Sequence, residues 1–505
     1  MPAPSASRTT GQVGGLLAGV SRKRPEVLGF RHLMTSSVDQ REQLPAPAID
    51  SERPGLDRDI WAMAWPAMLS FVVVNVVDVI DVVLVGRLGR ETVAAWGYAA
   101  QCVHLVETLV QSVGIGCVAL VARAIGAKDR ARSRQVLAAS VFVSQLVAAL
   151  GFVIAMVMPR YVFGLLDAEP AVIDIAVPYF RLFAFAMVLY AAAFMFESGL
   201  RAHRNTRAPL FAAVVVMTTK TVLSAVLVFG LFGFPRLELV GAGIATVVAH
   251  GAGLWLYYVL SRRFDAEELA VTFSFEDVKR MWAVVREVLI ISLPSMGERL
   301  IMSIALLTYF KILSSYGTAA IAAYAIGVRL LSFSWVPGLG FSTAASTFVG
   351  QSLGAGDSAG AKKAGAHTVA QAVLVMCVCG IVCLFARGPL VAAFTNDSGV
   401  AAALLPFMLM LAIAQPFMGA HFTLGGVLRG AGDTMTPLAG AAIGNWGFRV
   451  PLAWAFSRFL GHDIFWVWAA LIADHFARML VNGWVFLRGS WALRTGATIR
   501  GRARV

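Results

Sequence analysis

In the apolar run that begins near residue 60, three polar side chains recur at steps of three: Asn75, Asp78 and Asp81. Such steps put successive residues on adjoining faces of a helix. Ionisable groups in apolar surroundings are costly, and burial and a second acid both favour the neutral carboxyl. A pair of this kind suits the uptake and release of a proton or small cation. Glu107, with His104 three residues before it, offers another acid in a second apolar run. Glu298 and Arg299 follow Pro294, where a helix would kink, and either line a cavity or pack on the polar backbone of that kink. Glu197–Arg201 and Asp474–Arg478 are spaced i, i+4 and read as local ion pairs near helix ends. Lys311 reads as a base that snorkels to the outer surface. Trp335, Tyr309 and Tyr324 are aromatic faces on which a flat cation could stack.

The elements that must hold these groups are membrane helices. The 505 residues are 58% hydrophobic and 14% charged, against roughly 25% charged for a soluble domain. Charge-free windows of about 20 residues recur along the chain, the length that crosses a bilayer core. Twelve spans are expected: 60–86, 97–122, 135–158, 175–199, 208–232, 239–261, 285–313, 320–347, 366–386, 400–427, 437–457 and 464–488. They lack the alternation of barrel strands and read as helices. The expected fold is all-α and integral to the membrane, with twelve helices in two six-helix bundles.

The net charge of +13 sits mainly in short loops. Loops 2–3, 4–5, 6–7, 8–9 and 10–11 hold about 15 Lys/Arg and the alternate loops about six. This asymmetry predicts cytoplasmic termini and argues against nucleic acid as a partner. The run Cys377, Cys379 and Cys383 reads as small apolar residues on a helix, with no metal and no disulfide framework expected.

Residues 1–55 read as a disordered tail. The first 34 are rich in Arg and Ser with one acid, Glu26, which fits a transit peptide or, the preferred reading, a true start at Met34. The expected organisation is an N-terminal bundle at 56–262, a cytoplasmic linker at 263–283, a C-terminal bundle at 284–489 and a basic tail at 490–505.

The halves match at an offset of 228 residues. Pro66 aligns with Pro294, Gly126 with Gly354, Asp129 with Asp357, Pro178 with Pro406, Arg201 with Arg429 and Pro209 with Pro437. Six helices per unit is an even number, so both copies enter the membrane in the same sense. A parallel repeat with a cleft between its copies favours alternating access over intramembrane catalysis.

Several motifs resemble one family. Val349-Gly-Gln-Ser-Leu-Gly-Ala-Gly-Asp357 resembles the V-G-Q-x-x-G-A-G motif of the multidrug and toxic compound extrusion (MATE) transporters. Leu428-Arg-Gly-Ala-Gly-Asp-Thr-Met-Thr-Pro437 resembles that family's L-R-G-x-G-D-T-x-x-P loop. Asp81-Val-Val-Leu-Val-Gly-Arg-Leu-Gly89 and Arg449-Val-Pro-Leu452 resemble its first-helix end and an R-x-P-L element. The resemblance covers about 60–490 and is most similar to the DinF-like bacterial branch.

The resemblance implies two six-helix bundles around a cavity. It also implies export of amphipathic, often cationic, compounds in exchange for H+ or Na+. Asp81 matches the family's helix-1 carboxylate, and Asp78 stands where relatives often have Asn. Where one branch has N-x-x-x-D in helix 5, this chain has Lys220 and Ser224. Lys220 is expected to pair with Asp78 or Asp81 and to oppose Na+. The helix-10 acid of another branch is replaced by Met418.

The expected function is an antiporter in the bacterial inner membrane, acting as a monomer on a small-molecule substrate without a cofactor. A flippase for a lipid-linked substrate and an exporter of an organic anion are the alternatives. H-E-x-x-H does not occur, and the two G-x-S-x-G matches, Gly350–Gly354 and Gly356–Gly360, fall in and next to the glycine-rich motif after the eighth span, so an enzyme is not expected.

Overall fold

The computed structural model describes residues 55–263, 278–459 and 464–493, without the side chains of 261–263 and 278–280. The expected tail before Gly55, most of the 263–283 linker and residues 494–505 of the basic tail lie outside the described residues.

No β-strand occurs among the described residues. The first half contains α1 (Leu56–Gly86), α2 (Arg90–Gly126), α3 (Arg130–Val157), α4 (Pro170–Ala202), α5 (Arg207–Phe229) and α6 (Glu238–Arg263). The second contains α7 (Val278–Leu313), α8 (Thr318–Gly354), α9 (Ser358–Phe394), α10 (Ser398–Gly430), α11 (435–459) and α12 (Ile464–Arg488). Eleven are individually long and apolar enough to cross a bilayer. The remaining crossing, α11, is interrupted: Met435–Ala442 is α-helical, Ile443–Arg449 is a π-turn and Val450–Phe459 is α-helical again. Helix α8 breaks at Trp335, just before Pro337 opens its second segment.

The repeat is written into the helix boundaries. Helix α2 spans Arg90–Gly126 and α8 spans Thr318–Gly354, both ends displaced by 228. The same displacement relates α4 to α10. Asp129 caps α3 by accepting the Arg132 amide at 2.9 Å, and Asp357 caps α9 by accepting the Gly360 amide at 2.7 Å. Exposed apolar stripes also correspond: Leu146, Leu150, Val153 and Val157 on α3, and Leu374, Val378, Ile381 and Phe385 on α9. Stripes of this size without a protein partner suit contact with lipid.

The bundles meet where their first helices cross over. The start of α7 (Val284, Val288, Ile291) packs against α2 and α3, and the start of α1 (Ile60, Met63, Ala64) packs against α8 and α9. The ends of α2 and α8 cross backbone to backbone. A Cβ on Gly126 would lie 2.0 Å from the Gln351 carbonyl oxygen, and one on Gly354 would lie 2.0 Å from that of Arg123. Arg123 and Gln351 are themselves repeat partners, so the seam is a pseudo-two-fold contact that only glycine permits. Around it Gln351 donates to the Ala202 carbonyl at 2.8 Å, Arg132 pairs with Glu287, and Asp57 accepts from Gln371 at 2.7 Å and lies 2.9 Å from His367.

Candidate functional site

Helix α1 carries Asn75, Asp78 and Asp81 towards the end away from this seam. Asn75 donates to the Phe71 carbonyl at 2.9 Å, one turn back, and is absorbed in its own helix. Lys220 on α5 places its ammonium 2.5 Å from Asp81 Oδ2, with about a seventh of each side chain exposed. Of the two acids considered for Lys220, the structure pairs it with Asp81. Asp78 is exposed, makes no ion pair among the described residues and lies within electrostatic reach of Lys220, Glu107 and Asp81.

Glu107 extends this group into the bundle. His104 Nδ1 lies 3.6 Å from its Oε2, and Gln111 donates to its Oε1 at 2.9 Å. Gln111 also reaches the Tyr190 hydroxyl at 3.4 Å, and Tyr190 meets the His250 ring edge-on at 5.6 Å. Four further side chains from α2, α4 and α6 therefore connect to the acids of α1. Packing does this: small residues at Gly114 and Gly151 bring neighbouring helices close enough for the polar groups to meet.

In the second half, Arg429 Nη2 donates to both oxygens of Glu298 at 2.8 Å. Glu298 is thus tied to α10, while Arg299 makes no ion pair or hydrogen bond among the described residues and interacts electrostatically with neighbouring Glu298 first and with Glu107 across the seam more weakly. Glu197 pairs with Arg201 on α4.

The Asp474–Arg478 pair forms, with contacts of 2.6 and 3.1 Å, but its expected place near a helix end is wrong. It sits mid-way along α12, fully buried, with Arg449 Nη1 3.8 Å from the same carboxylate. Arg449 also lies over the Tyr309 ring at 4.5 Å and donates to the Tyr324 hydroxyl at 3.3 Å. Tyr309 and Tyr324 are buried in the second bundle's core with Trp468, and are committed to Arg449. Trp335 packs on Phe422.

A family model described as MatE matches residues 66–226 and again 294–455. The chain belongs to the MatE family. It is similar to the probable multidrug resistance protein NorM of Thermotoga maritima, with 25% identity over 454 residues, covering 88% of this chain and 96% of that one. The namesake from Bradyrhizobium diazoefficiens is 28% identical over 434 residues, covering 83% and 91%. The crystal structure of the Vibrio cholerae MATE transporter VcmN in the bent form matches the fold with a TM-score of 0.80 at 21% identity, covering 87% of this chain and 98% of that one. Members of the family are multidrug efflux transporters and not enzymes.

The bounds of the family match agree with a one-residue register shift in α11 of this transporter. The two matched stretches start 228 residues apart (66 and 294) but end 229 apart (226 and 455). A π-turn holds one residue more than the α-helix it replaces, and Ile443–Arg449 supplies it. The buried pair Ala453 and Ser457 on α11 therefore corresponds to Ser224 and Val228 on α5. With the same shift, Arg449 corresponds to Lys220, while Tyr309 corresponds to Asp81. Each bundle thus sets a cation of its fifth helix on the same position of its first helix. In one bundle that position is a carboxylate; in the other it is an aromatic ring, and Asp474 of α12 supplies the anion.

Sequence reading missed the Arg449 cluster as a unit. Gly444 makes room for it, since a Cβ there would lie 2.3 Å from Asp474 Oδ1.

Proposed function

We propose that this transporter is a proton-coupled antiporter exporting amphipathic organic cations by alternating access. It acts as a monomer in the bacterial inner membrane, with both termini cytoplasmic, as the basic loops suggest. The observation that carries this reading is the 2.5 Å Lys220–Asp81 ion pair beside the unpaired Asp78. Lys220 holds a fixed positive charge against the carboxylate that would otherwise receive Na+, and like charges at that distance exclude one another. A proton has no such conflict. Protonation of Asp81 removes the attraction and leaves Lys220 without a counter-charge, a costly state in a water-poor interior. Rearrangement of α1 against α5 relieves it, and a cationic substrate then competes with the proton for the same acids.

The tight contacts at the ends of α2 and α8 support a state closed at the basic-loop end, with its cleft towards the opposite face. Protons would reach Asp78 and Asp81 from that face, and the seam would part to admit substrate from the cytoplasm.

The test is uptake of ethidium into proteoliposomes under an imposed pH gradient or an imposed Na+ gradient. Uptake driven by the pH gradient and lost in Asp81→Asn is expected. Uptake driven by Na+ alone would remove the proposal.

A further inference from the structure

Helices α2, α3 and α4 border a cavity of about 180 Å³ that is separate from the Lys220–Asp81 pair. Val106 of α2, Ala148 and Phe152 of α3, and Ala184 and Met187 of α4 line it, and Val162 of the short helix Pro159–Leu165 borders it too. Every bordering side chain is apolar apart from the thiol of Cys102. A buried water needs two to four polar partners, and an apolar cavity of about 150 Å³ stays dry and takes up an apolar guest. An ion or a charged substrate would find no partner here either.

The fold does not force this space to exist. At the repeat displacement of 228 residues, Val106, Ala148 and Met187 correspond to Ser334, Met376 and Gln415 of the second bundle. There Gln415 donates to the Ser334 hydroxyl and ties α10 to α8. Met376 is fully buried against α10, so close that a Cβ on Gly419 would lie 2.9 Å from its Cγ. Valine and methionine cannot make that hydrogen bond, and Ala148 is too short to reach as Met376 does. The cavity therefore comes from the side chains of the first bundle.

Its rim joins the surface that suits contact with lipid. Leu105 of α2, on the rim, is 50% exposed. Ile154 of α3, also on the rim, follows Leu150 by one turn and shares its face. Leu150 belongs to the exposed apolar stripe of α3. From Phe180 to Met187 the cavity follows seven residues of α4, about 10 Å at ~1.5 Å per residue. It thus runs along the helix axes, as lipid tails do.

We propose that this cavity is a binding site for one acyl chain of a membrane phospholipid, entering between α2 and α3 and lying along α4. A flexible hydrocarbon chain fills irregular apolar space and needs no polar partner. The lodged chain packs on Val103 and Val106 of α2, and the next residue, Glu107, belongs to the polar group described above. The proposal does not depend on the coupling ion or on the exported compound.

The experiment uses the full chain in phosphatidylcholine vesicles containing a phosphatidylcholine with a diazirine on one acyl chain. Adducts formed on illumination are mapped by mass spectrometry. Labelling of Phe152 and Met187 is expected to saturate as the probe fraction rises, whereas labelling of Leu374 and Val378 on the stripe of α9 rises in proportion. Ala148→Met puts the second bundle's side chain in the space, and Ala184→Leu fills it from the other wall. Each should lower the Phe152 and Met187 adducts by about fivefold or more, the equivalent of one to two lost methylene contacts. The α9 adducts should stay unchanged, which also shows that the variants are folded. No adduct on Met187 while α9 labels normally, or unchanged Met187 labelling in both variants, would overturn the proposal. Loss of the Met187 adduct on adding ethidium, with α9 unaffected, would overturn it too and assign the cavity to substrate.

Discussion

Lys220 and Arg449 occupy the same place in the two bundles, although 229 residues separate them. One faces Asp81 at 2.5 Å and the other faces Tyr309, with its guanidinium 4.5 Å from the ring centre. Each bundle sets a cation of its fifth helix against its first helix, with a different partner. In the first bundle the partner can be protonated. In the second it cannot, and the charge is locked by a carboxylate that is fully buried. On the proposed mechanism, coupling falls to the first bundle and anchoring to the second.

If Lys220 and Asp81 act as a unit, removing both costs no more than removing one. Lys220→Ala and Asp81→Asn should each lower pH-driven uptake by about tenfold or more, and the double variant should match the weaker single. Initial rates in proteoliposomes across a double-mutant cycle decide it. Multiplicative losses would mean that the two residues act separately.

Asp474 neutralises two guanidinium groups in a region closed to solvent. Asp474→Asn keeps the shape and leaves Arg449 and Arg478 without a counter-charge. Breaking such a buried cluster costs about 3–5 kcal/mol. A clear drop in the thermal midpoint of detergent-purified protein is expected, larger than that of Lys220→Ala. Equal midpoints would show that water reaches the cluster.

The seam at Gly126 and Gly354 tolerates no side chain. Gly126→Ala and Gly354→Ala should each disfavour the closed seam by roughly 1–3 kcal/mol, the usual cost of overpacking. A Ser346→Cys reporter, at a buried position of α8 two turns before Gly354, in a background without the five native cysteines, should then label faster from the basic-loop side. The two alanine variants should behave alike because the contact is pseudo-symmetric. Unchanged labelling would place the closure elsewhere.

Arg132 and Glu287 pair across the same seam. Arg132→Glu sets two carboxylates together, and so should raise labelling at Ser346→Cys as well. Adding Glu287→Arg restores the pair in reverse and should return labelling towards the parent. A double variant no better than the single would show that the pair does not hold the seam.

Much of this arrangement was legible in the chain itself. Twelve spans, the parallel repeat and its offset followed from loop glycines, prolines and aspartates, because caps and turns allow few residue types. That Lys220 would meet Asp78 or Asp81 was legible because a lysine in an apolar block needs a carboxylate, but which of the two was not. Two things were hidden. A constant offset sets Arg449 opposite Thr221, since a π-turn slips the register by one residue and leaves no composition signature. The burial of Asp474 was also hidden, since i, i+4 spacing describes an exposed pair and a buried one equally well. Tyr309 and Tyr324 were read as faces for a ligand because an aromatic in a membrane helix does not reveal which side of it is occupied.

The backbone contact at Gly126 and Gly354 has a further consequence. Where a carbonyl oxygen sits within 2.0 Å of the place a single carbon would take, no file of water molecules can pass. Protons move through membranes along such files. A machine that draws on a proton gradient must not short-circuit it while idle, and a seal built from main chain has no rotamer that can swing open by chance. On the proposed proton-coupled mechanism the glycines would act as electrical insulation, protecting the cell's stored gradient whenever the exporter is not at work.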